Sequence, residues 1–272
     1  MWDAGQYLRF GGERARPFFD LIAQVGAQDP RYVTDLGCGP GNLTAALAAR
    51  WPAAQVTGVD NSPEMITAAQ AAAQSVAGSA EGPPAANLSF ALGDVTAWQP
   101  AVPPDVIISN AVLQWVPGHR ELLPRWADLL APGGWLAFQL PGNFDQPVHA
   151  IIRELAQSPR WRELLADAEL NRQAGDPAEY VALLARPGYQ VDAWETSYLH
   201  ILQGDNPVLE WTKGTALRPV LAALDAEQAA AFLRQYGERL RETYQPRSFG
   251  TILPFRRVFT VVHRTGPGPQ DG

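Results

Sequence analysis

Cysteine and lysine are almost missing from this sequence. Cys38 is the single cysteine among 272 residues, which excludes an intramolecular disulfide and any cysteine-rich metal site. Lys213 is the single lysine among 21 basic residues, so arginine carries the positive charge by composition and one arginine is no signal by itself. No run of about 18 apolar residues occurs, so no membrane span is expected. Residues Met1-Trp2-Asp3-Ala4-Gly5 lack the basic-then-apolar layout of a secretory signal, and a cytoplasmic address is expected. A net charge of −7 argues against a nucleic-acid partner, because phosphate binding needs an excess of Lys and Arg. What is there, 46% hydrophobic and 18% charged residues, describes an ordinary globular chain. It is long enough for one large domain, or one domain with a sizeable insertion.

The chain is organised around Val33-Thr34-Asp35-Leu36-Gly37-Cys38-Gly39-Pro40-Gly41-Asn42. A short apolar run rises to an acid; three glycines follow at alternate positions, and then a helix begins with Leu43, Ala46 and Leu47. Glycine permits positive φ and lets a ligand approach the backbone with no Cβ in the way. The helix start beyond offers N–H groups to partial negative charge. A dinucleotide fingerprint would read G-x-G-x-x-G, and the register here is G-x-G-x-G. Asp35, two residues before the first glycine, would suit a ligand that carries a cation and no phosphate. Cys38 lies inside the turn with no His and acid nearby in sequence to activate it, and reads as a small packing residue.

Read in order, residues 1–31 carry a helix with Phe18, Leu21, Ile22 and Val25 on one side, placed to cover a ligand mouth. The stretch 55–60 reads as a second strand ending in Asp60, where a carboxylate can accept both hydroxyls of a ribose. Ser62-Pro63 reads as a helix cap with Pro in the first turn. Strands at 88–95, 104–110 and 135–140 complete five strand–helix units, so a Rossmann-like doubly wound α/β sheet is expected. Four successive strands end in Asp35, Asp60, Asp94 and Asn110, a polar row that core packing does not explain. Helical insertions at about 141–175 and 206–244, the second read as helices 208–224 and 226–244, are expected to form a substrate cap. The domain plan is thus one unit over 1–264, with a core of 32–140, 176–203 and 256–264, then a disordered tail at 265–272.

The D-x-G-x-G-x-G run resembles motif I of the class I S-adenosylmethionine-dependent methyltransferases. A second, more specific resemblance spans nearly the whole chain. Tyr7-Leu8-x-Phe10, Glu13-Arg14-x-Arg16-Pro17, Asn110-Ala111-x-Leu113-Gln114-Trp115 and Gln139-x-Pro141-Gly142-Asn143 look like the trans-aconitate methyltransferase family. So do Tyr198-Leu199-His200, Leu217-Arg218-Pro219 and Pro254-Phe255-Arg256-Arg257; the Gly/Pro-rich loop at 78–87 is a departure. The resemblance implies S-adenosylmethionine as cofactor, with S-adenosylhomocysteine as product, held by Asp35, Gly37, Gly39, Gly41, Asp60, Asn61, Asp94, Val95 and Asn110. In that family the acid at Asp94 accepts from the adenine amine and the next residue offers its backbone.

It also implies a small tricarboxylate as substrate and methylation of a carboxylate oxygen. A carboxylate is ionised at pH 7, so no general base is expected, and neither is a metal. Orientation falls to Gln114 and Arg218. Arg218 is the first choice for a bidentate clamp, because a guanidinium matches a carboxylate fork. Arg256 or Arg257 is the second choice. Tyr7, Arg14, Trp115, Gln139, Asn143, His149, Tyr198 and His200 complete the expected substrate set. Each has a plainer alternative: a solvated helix face for Arg14, a surface position for the histidines, a core or rim aromatic for Trp115, a solvent-facing strand position for Arg257. Other readings are a methyltransferase of another small acid, an NAD-linked oxidoreductase and a non-catalytic cofactor-binding protein.

Overall fold

The computed structural model describes residues 11–77, 87–171 and 173–266, without side chains for 11–14 and 75–77. Tyr7 therefore lies outside the described residues, as do the side chain of Arg14, nearly all of the loop at 78–87, and the tail from 267.

Helix α1 (Gly11–Ile22) precedes β1 (Tyr32–Leu36), α2 (Asn42–Arg50), β2 (Gln55–Asp60), α3 (Pro63–Ala77), β3 (Leu88–Leu92) and β4 (Val106–Asn110). After a short 3₁₀ turn come α4 (His119–Leu129), β5 (Trp135–Pro141), α5 (Pro147–Ala156), α6 (Pro177–Leu184) and β6 (Tyr189–Leu202). Then α7 (Pro207–Lys213), α8 (Arg218–Ala223), α9 (Ala226–Thr243) and β7 (Thr251–Arg264) close the fold. The strands form one seven-stranded sheet in the order β3-β2-β1-β4-β5-β7-β6. The first five run parallel, while β7 enters antiparallel between β5 and β6. The order reverses between β1 and β4, and in such sheets ligands bind beyond the strands' carboxyl ends at that switch.

Local chemistry accounts for the element ends. The Ser62 hydroxyl accepts from the Met65 N–H at 3.2 Å and Pro63 opens α3, as the Ser-Pro pair predicts. Reciprocal capping boxes, Asp176 with Glu179 and Asp225 with Gln228, start α6 and α9. Three expectations change. No helix joins β3 to β4 among the described residues; Pro100, Pro103 and Pro104 withhold N–H groups from that connection. The stretch expected as one helix over 208–224 is two, because Gly214 ends α7 and Pro219 restarts α8. Similarly Arg160–Leu165, expected helical, runs in turns.

Three apolar clusters hold the fold. Phe18, Leu21, Ile22 and Val25 pack with Leu47, Trp51 and Val33 on one sheet face. Leu123, Trp126, Tyr180 and Leu184 cover the other, over Ile107, Leu136 and Phe138. The third belongs to the cap, where Ile151, Ile152 and Trp161 meet Trp211, Leu217, Phe232, Tyr236 and Phe255. Its link to the sheet is a ribbon. β5 pairs with β7 as far as Pro141 opposite Arg257, one further bond runs from the Gly142 N–H to the Arg256 carbonyl at 2.9 Å, and from Phe255 to Thr251 β7 pairs with β6 alone. Arg257 thus stands where the sheet ends and the cap begins.

Candidate active site

A cavity of about 520 Å³ opens between the carboxyl ends of the parallel strands and the cap. That size suits a cofactor-sized ligand.

The glycine turn forms its floor. Gly37 and Cys38 donate to the Val59 carbonyl at 2.7 and 3.0 Å, which fastens the turn to the end of β2. All three glycines have positive φ, at 82°, 54° and 79°. They differ in what surrounds them. A Cβ on Gly37 would stand 2.1 Å from Val112 Cγ2, and one on Gly41 2.6 Å from the Phe90 ring. A Cβ on Gly39 would meet nothing within 4 Å, and Gly39 lines the cavity. Two glycines therefore serve packing, and the middle one keeps the approach open.

Three acids surround this floor. Asp35, 2% exposed, accepts from the Thr44 hydroxyl at 2.7 Å. Burial pushes its carboxyl up to about 6; the Thr44 bond opposes the shift and nearby Asp60 adds to it. Asp60 spends one oxygen on the Gly39 N–H and the other on the Ser62 N–H, both at 2.9 Å. A carboxylate oxygen has more than one lone pair, so each retains capacity for a ligand hydroxyl. Asp94 is braced by the Thr96 N–H and hydroxyl, both 2.8 Å from one carboxylate oxygen. Cys38 is buried and lies beside Gly58, where a Cβ would come within 2.9 Å of its sulfur. Burial, with the charges of Asp35 and Asp60, pushes its thiol well above the ordinary range. It is a packing group, neutral and inert.

The opposite wall comes from the cap and carries no acid among the described lining residues. Arg218, at the start of α8, and Arg257 both line it. Arg257 does not face solvent: it is 6% exposed, with its guanidinium 4.6 Å from the Phe255 ring centroid and Nη1 donating to Gln139 at 3.3 Å. His149 lines the cavity from the first turn of α5, its ring 5.0 Å from that of Phe144. Gln114 donates to the Ala111 carbonyl at 2.6 Å, which fixes its amide. The Gln114 Oε1 and Asn143 Oδ1 oxygens are buried, line the cavity, and accept nothing from the described residues. Trp115 stands at the rim, 39% exposed.

The structure thus gathers Asp35, Gly37, Gly39, Asp60, Asn61, Asp94, Val95 and Asn110 with Gln114, Trp115, Asn143, His149, Arg218 and Arg257 around one space. Gly41 packs just behind the floor. Four expected substrate residues stand elsewhere. Arg256 lies outside the wall because its guanidinium is held by Glu195 and Asp176 at 2.5 and 2.7 Å. Tyr198 donates its hydroxyl to Asp20 at 2.6 Å and so fastens β6 to α1. His200 lies behind the wall, stacked on Trp211 at 4.8 Å. Gln139 is fully buried, bonded to Asn110 and Arg257. Sequence reasoning missed Phe144, Trp211 and Thr215, which also line the cavity. For the last two, the signal was Gly214 with Pro219, which breaks the helix there.

Comparison with known proteins fits this arrangement. Residues 33–134 match the model of a methyltransferase domain family. The chain is 54% identical to trans-aconitate 2-methyltransferase of Streptomyces avermitilis, over 97% of each. It is 52% identical to the enzyme of that name from Mycobacterium sp. strain KMS, over 98% of this chain and all of that one. With its namesake from Mycobacterium tuberculosis strain H37Ra it shares 44% over both full lengths. Among solved structures it shares a fold with the YcgJ protein of Bacillus subtilis: TM-score 0.57, 16% identity, 93% of this chain and 99% of that one. A Haemonchus contortus phosphoethanolamine N-methyltransferase solved with S-adenosyl-L-methionine gives a TM-score of 0.56 at 14% identity, over 94% of this chain and 56% of that one.

Proposed function

This chain belongs to the trans-aconitate 2-methyltransferase family, and from that premise we propose that it is an S-adenosylmethionine-dependent O-methyltransferase forming the monomethyl ester of trans-aconitate. One observation carries the reading: the cavity divides its charge, with Asp35, Asp60 and Asp94 on one wall and Arg218 and Arg257 on the other. A cofactor bearing sulfonium and ammonium groups suits the first wall. A tricarboxylate suits the second. One domain with a helical cap, working in the cytoplasm, belongs to the same reading.

The residues present fit the cofactor. The open space at Gly39, the lone pairs left on Asp60 and the buried carboxylate of Asp35 make a site for a cationic nucleoside without phosphate. Asp35, Gly37, Gly39, Gly41, Asp60, Asn61, Asp94, Val95 and Asn110 would hold it. When bound, S-adenosylmethionine supplies an electrophilic methyl group and departs as S-adenosylhomocysteine.

The work left to the chain is alignment. An ionised carboxylate is its own nucleophile, so no residue has to accept a proton. Arg218 and Arg257 bind the other carboxylates in fork geometry, which fixes which oxygen points across the cavity. Gln114, held by Ala111, and Asn143 and His149 set the remaining contacts. Phe144, Trp211 and Phe255 line the same space and exclude water, which would otherwise solvate the attacking oxygen. Bringing the reacting atoms to roughly 3 Å in line accounts for the acceleration.

The test is methyl-ester formation from labelled S-adenosylmethionine, with trans-aconitate set against cis-aconitate, citrate and isocitrate. Strong preference for trans-aconitate is expected. Binding of S-adenosylhomocysteine without turnover of any of the four would retain the cofactor and discard the substrate. Binding of NAD in place of S-adenosylhomocysteine would discard both.

A further inference from the structure

Asn110, Gln139 and Arg257 form a hydrogen-bond chain with only one possible direction. A guanidinium donates and never accepts. Arg257 Nη1 donates to Gln139 Oε1 at 3.3 Å, so Gln139 turns its carbonyl toward Arg257 and its N–H₂ away. That N–H₂ donates to Asn110 Oδ1. Asn110 therefore turns its carbonyl toward Gln139, and Nδ2–H₂ is the donor that it can offer the cavity that it lines. Neither amide can be reversed. Turning Gln139 would set an N–H₂ against the guanidinium, and turning Asn110 would set two N–H₂ groups face to face. The sheet enforces the juxtaposition, since Asn110 pairs with Gln139 between β4 and β5, and Arg257 with Pro141 between β5 and β7.

We propose that Gln139, which touches no ligand, is a positioning residue that sets the polarity of the cavity wall. Through it, Asn110 presents a donor, and the group that Asn110 receives is a carboxylate. Bonds aligned in one direction polarise each other, so the charge on Arg257 strengthens the donor at Asn110. The inference rests on the proposed function, which supplies two carboxylates: the amino-acid tail of the cofactor and the tricarboxylate substrate.

The variant Gln139→Glu separates them. It keeps length and an oxygen for Arg257 but offers Asn110 only acceptors, so Asn110 turns its N–H₂ to residue 139 and its carbonyl to the cavity. Titration calorimetry would use S-adenosylhomocysteine and 5′-methylthioadenosine, which lacks the amino-acid tail; steady-state kinetics would use trans-aconitate. If the carboxylate is the cofactor's, S-adenosylhomocysteine weakens at least tenfold while methylthioadenosine is unchanged. If it is the substrate's, KM for trans-aconitate rises at least tenfold in Gln139→Glu and in Asn110→Ala alike while both nucleosides bind as before; a rise confined to Gln139→Glu reports the new carboxylate beside Arg257 and overturns the substrate assignment. Gln139→Leu removes both bonds without adding charge and leaves Asn110 free to turn either way, so if the glutamate variant does not fold the same ligand is expected to weaken, by a smaller factor. Equal loss of both nucleosides would mean a damaged sheet and overturn the proposal, as would unchanged values for all three ligands. A wild-type chain that binds neither nucleoside refutes the cofactor reading and this inference with it. One that binds them without methylating trans-aconitate loses only the substrate reading, and the nucleoside comparison still decides.

Discussion

Gly39→Ala is expected to separate binding from folding. An L-residue in the left-handed region costs about 1–2 kcal/mol, and residue 39 has φ 54°. No further cost arises from contact, because a Cβ there meets no atom within 4 Å. At about 2–4 °C per kcal/mol for a chain of this order, the thermal midpoint falls by about 2–8 °C. The new methyl stands in the approach to the cavity floor, so S-adenosylhomocysteine should bind at least tenfold more weakly, about 1.4 kcal/mol. Gly41→Ala is the contrast. It has the same backbone cost at φ 79°, and its Cβ falls 2.6 Å from the Phe90 ring and 2.8 Å from the Ala69 Cβ. Overpacking adds about 1–3 kcal/mol, so this variant loses stability first and binding as a consequence. Thermal unfolding by circular dichroism, with calorimetric titration on the folded fraction, reads both quantities. Wild-type affinity in Gly39→Ala would refute the reasoning, because the methyl would then face solvent. Equal stability of the two variants would refute the packing argument.

Arg218→Lys should raise KM for trans-aconitate about tenfold or more and leave S-adenosylhomocysteine affinity unchanged, since an ammonium cannot match a carboxylate fork; an unmoved KM would put the clamp elsewhere. Asp35 has a folded pKa of about 6 against an ordinary 3.8. Its contribution to stability is therefore fully present below about pH 4 and is lost as pH rises through 6, while the ionised form that binds a cation appears over the same range. Affinity for S-adenosylhomocysteine is thus expected to rise with pH through 6. Asp35→Asn should raise the thermal midpoint at pH 7, abolish that pH dependence and weaken binding; a lower midpoint at pH 7 would contradict the assignment of burial as the main cause. Tyr198→Phe should cost about 1 kcal/mol of stability through the lost bond to Asp20 and leave KM for trans-aconitate unchanged. A large rise in KM would return Tyr198 to the substrate wall.

The acidic half of the cavity was legible because it is built from local signals repeated in register. The first four parallel strands each lead from an apolar stretch to a polar residue at or just beyond the strand end, and at β1 and β2 the next helix starts within a few residues, so sequence position maps onto place at the sheet edge. The arginine-bearing half was not legible in that way. Its residues come from α5, the break between α7 and α8, and β7, elements that meet through the cap's own core. Arg256 and Arg257 are neighbours in sequence and alternate across a strand, so one enters the wall and the other joins Glu195 and Asp176 outside. Nothing in two adjacent arginines tells which face is inward. Tyr198 and His200 do share a face, but α1 and Trp211 occupy it.

By itself, then, the sequence determined the glycine turn, the row of strand-end acids, the class of sheet and the presence of a cap, all of which follow from backbone chemistry over a few residues. The tertiary structure alone decided the partners of the polar side chains. Gln139 became an internal relay because β7 inserts antiparallel beside β5 and carries Arg257 to the end of that strand. That placement depends on pairing across more than a hundred residues, where the driving force is burial of the shared core and no local preference records the outcome.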